Sequence, residues 1–203
     1  MTITSRRILP KRFYEHDPAI VATGLLGNVL SRKLKGTVLE GMIVETEAYY
    51  GLTDPASRAY LGINNYNEPM WGEPGKSFVY NVHKYWMFNV VAHEANAIGA
   101  VLIRALEPIR GIALMKVNRP VDNIFELTNG PGKLTISLQI DKKFNGTPLT
   151  SCTSEIFVTR NETEFDIGDS PRIGVTRDLE RHLRFFIKGN KFVSRQRTRR
   201  RNV

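Results

Sequence analysis

The sequence predicts a mixed α+β domain, and three observations carry that reading. Several long runs rich in β-branched and aromatic residues are separated by Gly, Pro and Asn. Helical signals are few and short, and no solenoid-type repeat of roughly 20 to 50 residues is present. A chain of 203 residues, 41% hydrophobic and 24% charged, suits one globular domain with its own core.

Asp17-Pro18 has the form of an N-cap followed by proline at the first helical position. It opens a short helix through Ile20, Val21, Leu25 and Leu26 that Gly27 ends. The strand-like runs follow as NVLSRKL, TVLEGMIVETEAYY, SFVYNVHKYWMFNVVA, AVLIRALEP, SEIFVTR and HLRFFIKG. A second helix is expected from Leu106 to Val117. The Asp54 to Gly75 segment, rich in Pro, Asn and Gly, reads as a long loop, and such loops are functional or disordered. The domain is expected over residues 1–194. Residues 195–203 form a basic tail without apolar periodicity, read as disordered.

The formal net charge is +9, of which Arg195, Arg197, Arg199, Arg200 and Arg201 supply five, leaving +4 on the rest. A moderately basic body with a basic arm fits nucleic-acid binding, and equally a solvated surface with an unstructured end. The longest apolar runs, such as residues 100–103, fall far short of the roughly 18 residues a membrane span needs, and MTITSRRILPKR has no signal-peptide apolar region. An intracellular protein is expected. The single Cys152 allows no intramolecular disulfide and reads as a small buried or loop side chain.

Several motifs fail on inspection. GEPGKS at 72–77 resembles the end of a phosphate-binding loop, but Met70 stands where glycine is required and a strand-like FVYNV follows. His93-Glu94 begins a zinc-protease motif that stops at Ala97, and His16, His83 and His182 stand far apart without paired cysteines. Neither the serine-hydrolase elbow nor the dinucleotide fingerprint is present. No metal and no cofactor are expected.

The stretch IVETEAYYG is more informative. Alternation along a strand puts Glu45, Glu47 and Tyr49 on one face. They form either a solvent-facing strand with paired carboxylates or a carboxylate site beside a stacking platform. Arg104 interrupts the apolar run from Ala100 to Leu106, and a buried guanidinium is costly unless carboxylates surround it. Glu45 and Glu47 are such carboxylates. Their meeting with Arg104 is either a structural ion pair or a device that orients a water for attack.

Together, GMIVETEAYYG, EPGKSFVYNV, VLIRALEPIRG, GPGKLT and SPRIGV...LRFFIKGNKFVS resemble the alkyladenine, or 3-methyladenine, DNA glycosylases of the non-helix-hairpin-helix type, in the same order from about Leu9 to Ser194. The resemblance implies a curved, mainly antiparallel sheet with a protruding β-hairpin that wedges into DNA. It further implies a monomeric, monofunctional enzyme acting on double-stranded DNA with damaged purines. Such enzymes flip the base out of the stack before cutting its glycosidic bond. By the resemblance, Glu47 is the general base, Arg104 helps hold the water, Tyr49 and Tyr80 clasp the base, and Asn89 lines the pocket against the exocyclic amino group of guanine. Lys133 is implied to make a phosphate or structural contact. No lysine matches a Schiff-base nucleophile.

The chain departs from the family pattern in three places, one of them Ile136-Ser137-Leu138-Gln139 after GPGKLT, where many relatives have Gln-Ala-Leu-Gly. Arg58 replaces the usual histidine in DPASRAY and becomes the third pocket wall. A fixed guanidinium there repels a cationic base more than a neutral one, so a narrower substrate range is expected unless Arg58 turns to a phosphate. The hairpin reads His83-Lys84-Tyr85-Trp86, one residue shorter, with His83 as the expected wedge and Lys84 beside it. Two other classes stay open: a binding protein for damaged DNA that does not cut, and a hydrolase of small N-glycosides. The first needs no Glu47 and Arg104 pair; the second needs no basic surface.

Overall fold

The computed structural model describes residues 7–194. The basic tail expected at 195–203 lies outside the described residues. Helix α1 (Pro18–Leu25) starts as expected: the Asp17 carboxylate accepts the Ala19 N–H at 2.7 Å, and Pro18 sits where its missing N–H has no intrahelical partner to lose. Gly27, at φ 82, turns the chain into β1 (Val29–Leu34), and Lys35 and Gly36, both at positive φ, return it into β2 (Thr37–Tyr50).

The hairpin β3 (Ser77–Val82) and β4 (Tyr85–Val91), then β5 (Gly99–Arg110), follow the long loop. Helices α2 (Ile112–Asn118) and α3 (Pro131–Leu138) come next, and β6 (Ile156–Thr159), β7 (Ile167–Ser170) and β8 (Arg184–Ile187) close the described chain. The strands form one antiparallel sheet of order β3-β4-β5-β2-β1-β6, with β8 also on β2 and β7 on β8. Strand β2 is the axis. One edge pairs with β5 from Glu40 to Tyr50, while the other is shared: β1 takes Thr37 to Met42 and β8 takes Glu45 to Glu47. The sheet therefore forks around residues 43–44 and curls into a half-barrel.

Two clusters fill the interior. The larger joins Val21, Ala22 and Leu25 of α1 and Leu134 and Leu138 of α3 to Ile43, Val44, Val101 and Ile103. The smaller packs Ala59 and Met70 of the long loop against Phe78, Val91 and Ala100. That packing orders the Asp54 to Gly75 segment, although it has no apolar period. Among the described residues no helix is long and apolar enough to cross a membrane.

Several expectations need correction. The helix expected from Leu106 begins only at Ile112, because β5 keeps pairing with β2 as far as Arg110 before Gly111, at φ 74, breaks the strand. Pro108 is tolerated there because Ile109 is left out of the register beside it, a bulge that relaxes the demand for ladder hydrogen bonds. Strand β7 and helix α3 were not foreseen. The solvent-facing alternative for Glu45 and Glu47 fails, since both are 0% exposed. Of the two readings of Cys152, the loop one holds, since it is exposed in a turn.

Candidate active site

The site is built on a paired irregularity in β2 and β5. Ile43 faces Leu106, Glu45 faces Ala105 and Thr46 faces Ile103, so Val44 on one strand and Arg104 on the other have no partner in the register. A bulge re-aims the side chain it carries. Here it delivers the Arg104 guanidinium between the two glutamates: Nε donates to Glu45 Oε1 at 2.8 Å and Nη1 to Glu47 Oε2 at 3.0 Å.

Glu45 is saturated. Its Oε1 also accepts from Arg184 Nε at 2.7 Å and Ser194 Oγ at 2.6 Å, and its Oε2 accepts the Ser194 N–H at 2.7 Å. Burial alone would raise its pKa, but Arg104 and Arg184 outweigh that and hold it below the ordinary value. Glu47 differs. Its Oε2 accepts from Arg104 and from the Tyr49 hydroxyl at 2.8 Å, and its Oε1 accepts the Ile173 N–H at 2.7 Å. An ionised carboxylate offers about four acceptor positions, so these three bonds leave Oε1 able to take one more donor. Burial raises the Glu47 pKa, with Arg104 opposing and Glu45 adding repulsion.

Ile173 is aimed at Glu47 by an ion network that the sequence reading missed. Arg172 donates to both Asp54 oxygens at 2.7 Å, to Asp178 Oδ1 at 2.6 Å from Nη2, and to the Ala48 carbonyl at 2.9 Å. Its Cζ also lies 4.5 Å from the Tyr49 ring centroid, which fixes that ring from behind. Burial lifts the Tyr49 hydroxyl pKa well above its ordinary value, and the neighbouring Glu47 charge adds to this, so the phenol stays protonated as a donor. Arg184 and Arg172 carried the signal that singled out Arg104: a guanidinium in or beside an apolar run, HLRFFI and SPRIGV. The Ile173 N–H has no side-chain signature to find.

Tyr49, Arg58, Tyr80 and Asn89 line one small cavity with Ala56, Met70, Phe78 and Ala100. Tyr49 connects this cavity to Glu47 through its hydroxyl. Asn89 is buried and its Nδ2 donates to the Phe78 carbonyl at 3.0 Å and the Met87 carbonyl at 3.3 Å, which fixes the amide plane. Arg58 Cζ lies 4.9 Å from the Tyr80 ring centroid.

The remaining candidates lie elsewhere. His83, at φ 53, and Lys84 form the exposed two-residue turn of the β3–β4 hairpin, whose register runs from Ser77 with Val90 to Val82 with Tyr85. Lys133 is on α3, where its Nζ donates to Asn129 Oδ1 at 2.7 Å. That helix supports the hairpin: Thr135 Oγ1 donates to the Trp86 carbonyl, and a Cβ at Gly132 would stand 2.8 Å from that of Tyr85. Glycine there permits the close approach.

Comparison with known proteins puts these features in the class of the DNA glycosylases. The model of the methylpurine-DNA glycosylase family matches residues 12–191, and the chain belongs to that family. A protein of Carboxydothermus hydrogenoformans is 43% identical over 93% of this chain and 100% of its own length. One of Aeropyrum pernix is 39% identical over 94% and 95%, and one of Clostridium perfringens 40% over 93% and 99%. All three carry the name "Putative 3-methyladenine DNA glycosylase". The family resembled by VETEAY, IRALEP and GPGKL is thus the family to which the chain belongs.

Proposed function

We propose that this chain hydrolyses the N-glycosidic bond of alkylated or deaminated purines in double-stranded DNA and leaves an abasic site. The observation that carries this is the inequality of the two buried glutamates: Glu45 has four donors, two of them guanidiniums, while Glu47 has three, one of them a guanidinium, and keeps acceptor capacity for a water beside Arg104. The target base flips out and stacks with Tyr49 and Tyr80, whose π faces favour a cationic methylpurine. The C1′–N bond breaks with its electron pair going to the departing base. The water oxygen bonds to C1′ and Glu47 takes its proton, a task suited by its raised proton affinity. Negative charge on Glu47 also stabilises the cationic sugar that develops.

Asn89, fixed at the cavity wall, is positioned to exclude the exocyclic amino group of guanine. Among the described residues the cavity lining contains no lysine, which supports a monofunctional hydrolase acting through water. His83 and Lys84 at the hairpin tip would enter the duplex as the base leaves it, with Lys133 behind them. The enzyme acts as a monomer. Incubation with duplexes carrying 3-methyladenine, 7-methylguanine, hypoxanthine or 1,N6-ethenoadenine tests the proposal. Released base with an intact abasic strand is expected; strand cleavage by the enzyme itself, or release from none of the four, would sink it.

A further inference from the structure

Both tyrosines of the cavity carry a guanidinium on the ring, and the two are held very differently. Arg172 over Tyr49 has a fully buried side chain bonded to Asp54 and Asp178. Arg58 over Tyr80 is exposed. Its backbone is pinned, because the Arg58 carbonyl accepts from Asn67 Nδ2 at 2.6 Å and the next residue, Ala59, is wholly buried. Its guanidinium, which also hydrogen-bonds the Tyr80 hydroxyl, can therefore leave the ring by side-chain rotation once that bond breaks. With Arg58 on Tyr80 the cavity holds about 10 Å³, room for about one water molecule and far too little for a fused purine ring.

We propose that Arg58 is a displaceable gate that determines which bases enter: its planar cation occupies the Tyr80 face that a flipped purine needs, and a base enters only by displacing it. This rests on the base-excision reading of the site. Entry is then an exchange on one aromatic face. A cationic base replaces the cation–π contact that the guanidinium gives up, whereas a neutral base regains only stacking. Displacing Arg58 costs every base the same, so the gate sets a common threshold that charged, alkylated purines, which bind the tyrosine faces most strongly, clear before neutral lesions and undamaged bases. A guanidinium fixed in the wall would give the opposite order, by repulsion; one that leaves as the base arrives does not. Either arrangement narrows the substrate range, but only the gate narrows it toward cations.

The test compares Glu47→Gln protein, which cannot cut, with the Glu47→Gln, Arg58→Ala double variant. Fluorescence anisotropy measures binding to duplexes differing at one position: neutral 1,N6-ethenoadenine, cationic 7-methylguanine, or a tetrahydrofuran abasic analogue with no base to insert. Removing the gate should tighten the ethenoadenine duplex by on the order of 3- to 30-fold, the range of a cation–π contact. The 7-methylguanine duplex should tighten by a similar factor, because the displacement cost is common to both bases, and the abasic duplex should not change. Equal weakening of all three would overturn the proposal by placing Arg58 on the DNA backbone. No change for ethenoadenine, or a larger gain for 7-methylguanine, would overturn it as well. Failure of the base-excision reading looks different: protein with Arg58 intact would then bind lesion duplexes no better than undamaged ones.

Discussion

Glu45 and Glu47 stand two residues apart on β2, both inaccessible to solvent and both bonded to Arg104. What separates them is who else reaches them. Glu45 gains a second guanidinium and both donors of Ser194, and its proton affinity falls. Glu47 gains a phenol and a single amide, and its proton affinity rises. One strand face thus holds a carboxylate of lowered pKa beside one of raised pKa. Adjacent carboxylates take different roles when their surroundings push their pKa values apart. The lesson is that the partners supplied by β8 and the residues after it, more than the strand itself, push the two proton affinities apart.

The largest expected effect comes from Glu47→Gln. Excision should fall by ~10² to 10⁴-fold, because the amide keeps the shape but takes no proton. Lesion binding should stay within about 3-fold of wild type, since base stacking is untouched. Single-turnover base release beside an equilibrium binding curve checks both, and wild-type turnover would remove Glu47 from the mechanism. At neutral pH the same variant should be as stable as wild type or more so, because it removes a carboxylate that is costly to ionise.

Glu45→Gln should strike stability instead. Taking the anion from between two buried guanidiniums leaves uncompensated charge, typically worth about 3 to 5 kcal/mol, or a fall of roughly 6 to 20 °C in Tm for a chain of this size. Per folded molecule, excision should suffer far less than in Glu47→Gln. Equal rate losses in the two would mean that the carboxylates work as a unit and would dissolve the contrast.

Acid titration separates the pair further. The raised Glu47 pKa places the acid limb of the excision rate above the ordinary glutamate value of about 4.3. A limb below that value would contradict the assignment. The stability effects have opposite signs. Glu45, with its depressed folded pKa, stabilises above the unfolded value and loses this as pH falls through the folded one. Glu47, with its raised folded pKa, favours the fold below the unfolded value and loses this as pH rises through the folded one. Urea unfolding of both Gln variants, from well below the ordinary glutamate value of about 4.3 up to neutral pH, resolves the two contributions.

The smallest effects lie at the far end of the chain. Ser194→Ala removes one hydroxyl bond to Glu45 and should cost about 1 to 2 kcal/mol, at the lower end for a hydrogen bond to a charged group. Deletion from Arg195 onward keeps Ser194 and should leave stability and single-turnover rate unchanged. It should flatten the salt dependence of duplex binding, by up to ~0.9 in log–log slope for each arginine that contacts a phosphate. A rate loss in that truncation would show that the basic segment takes part at the site.

Much of this was legible in the sequence, for reasons that differ by region. The runs NVLSRKL and TVLEGMIVETEAYY mark β1 and β2 closely because β-branched residues are dense and turns bound them. The meeting of Arg104 with the glutamates followed from the cost of burying a lone guanidinium. Arg184 obeyed the same logic and went unread. The bulges at Val44 and Arg104, the Ile173 amide and the packing of Ala59 and Met70 leave no period or motif, because they depend on tertiary geometry. Helix α3 hid within GPGKLT, whose two glycines argue against a helix until Gly132 is seen to meet Tyr85.

The partners of Glu45 have a consequence for the order in which the protein comes into being. Arg104 follows it by 59 residues, Arg184 by 139 and Ser194 by 149. At a synthesis rate of ~5 to 20 residues per second, the last partner leaves the ribosome's catalytic centre about 7 to 30 seconds after the glutamate. Until then two carboxylates share one guanidinium, so the nascent site carries an excess negative charge that opposes its burial. Closure of β8 and Ser194 onto β2 removes that excess. The charge buried on β2 is therefore balanced only when almost all of the described chain has been made.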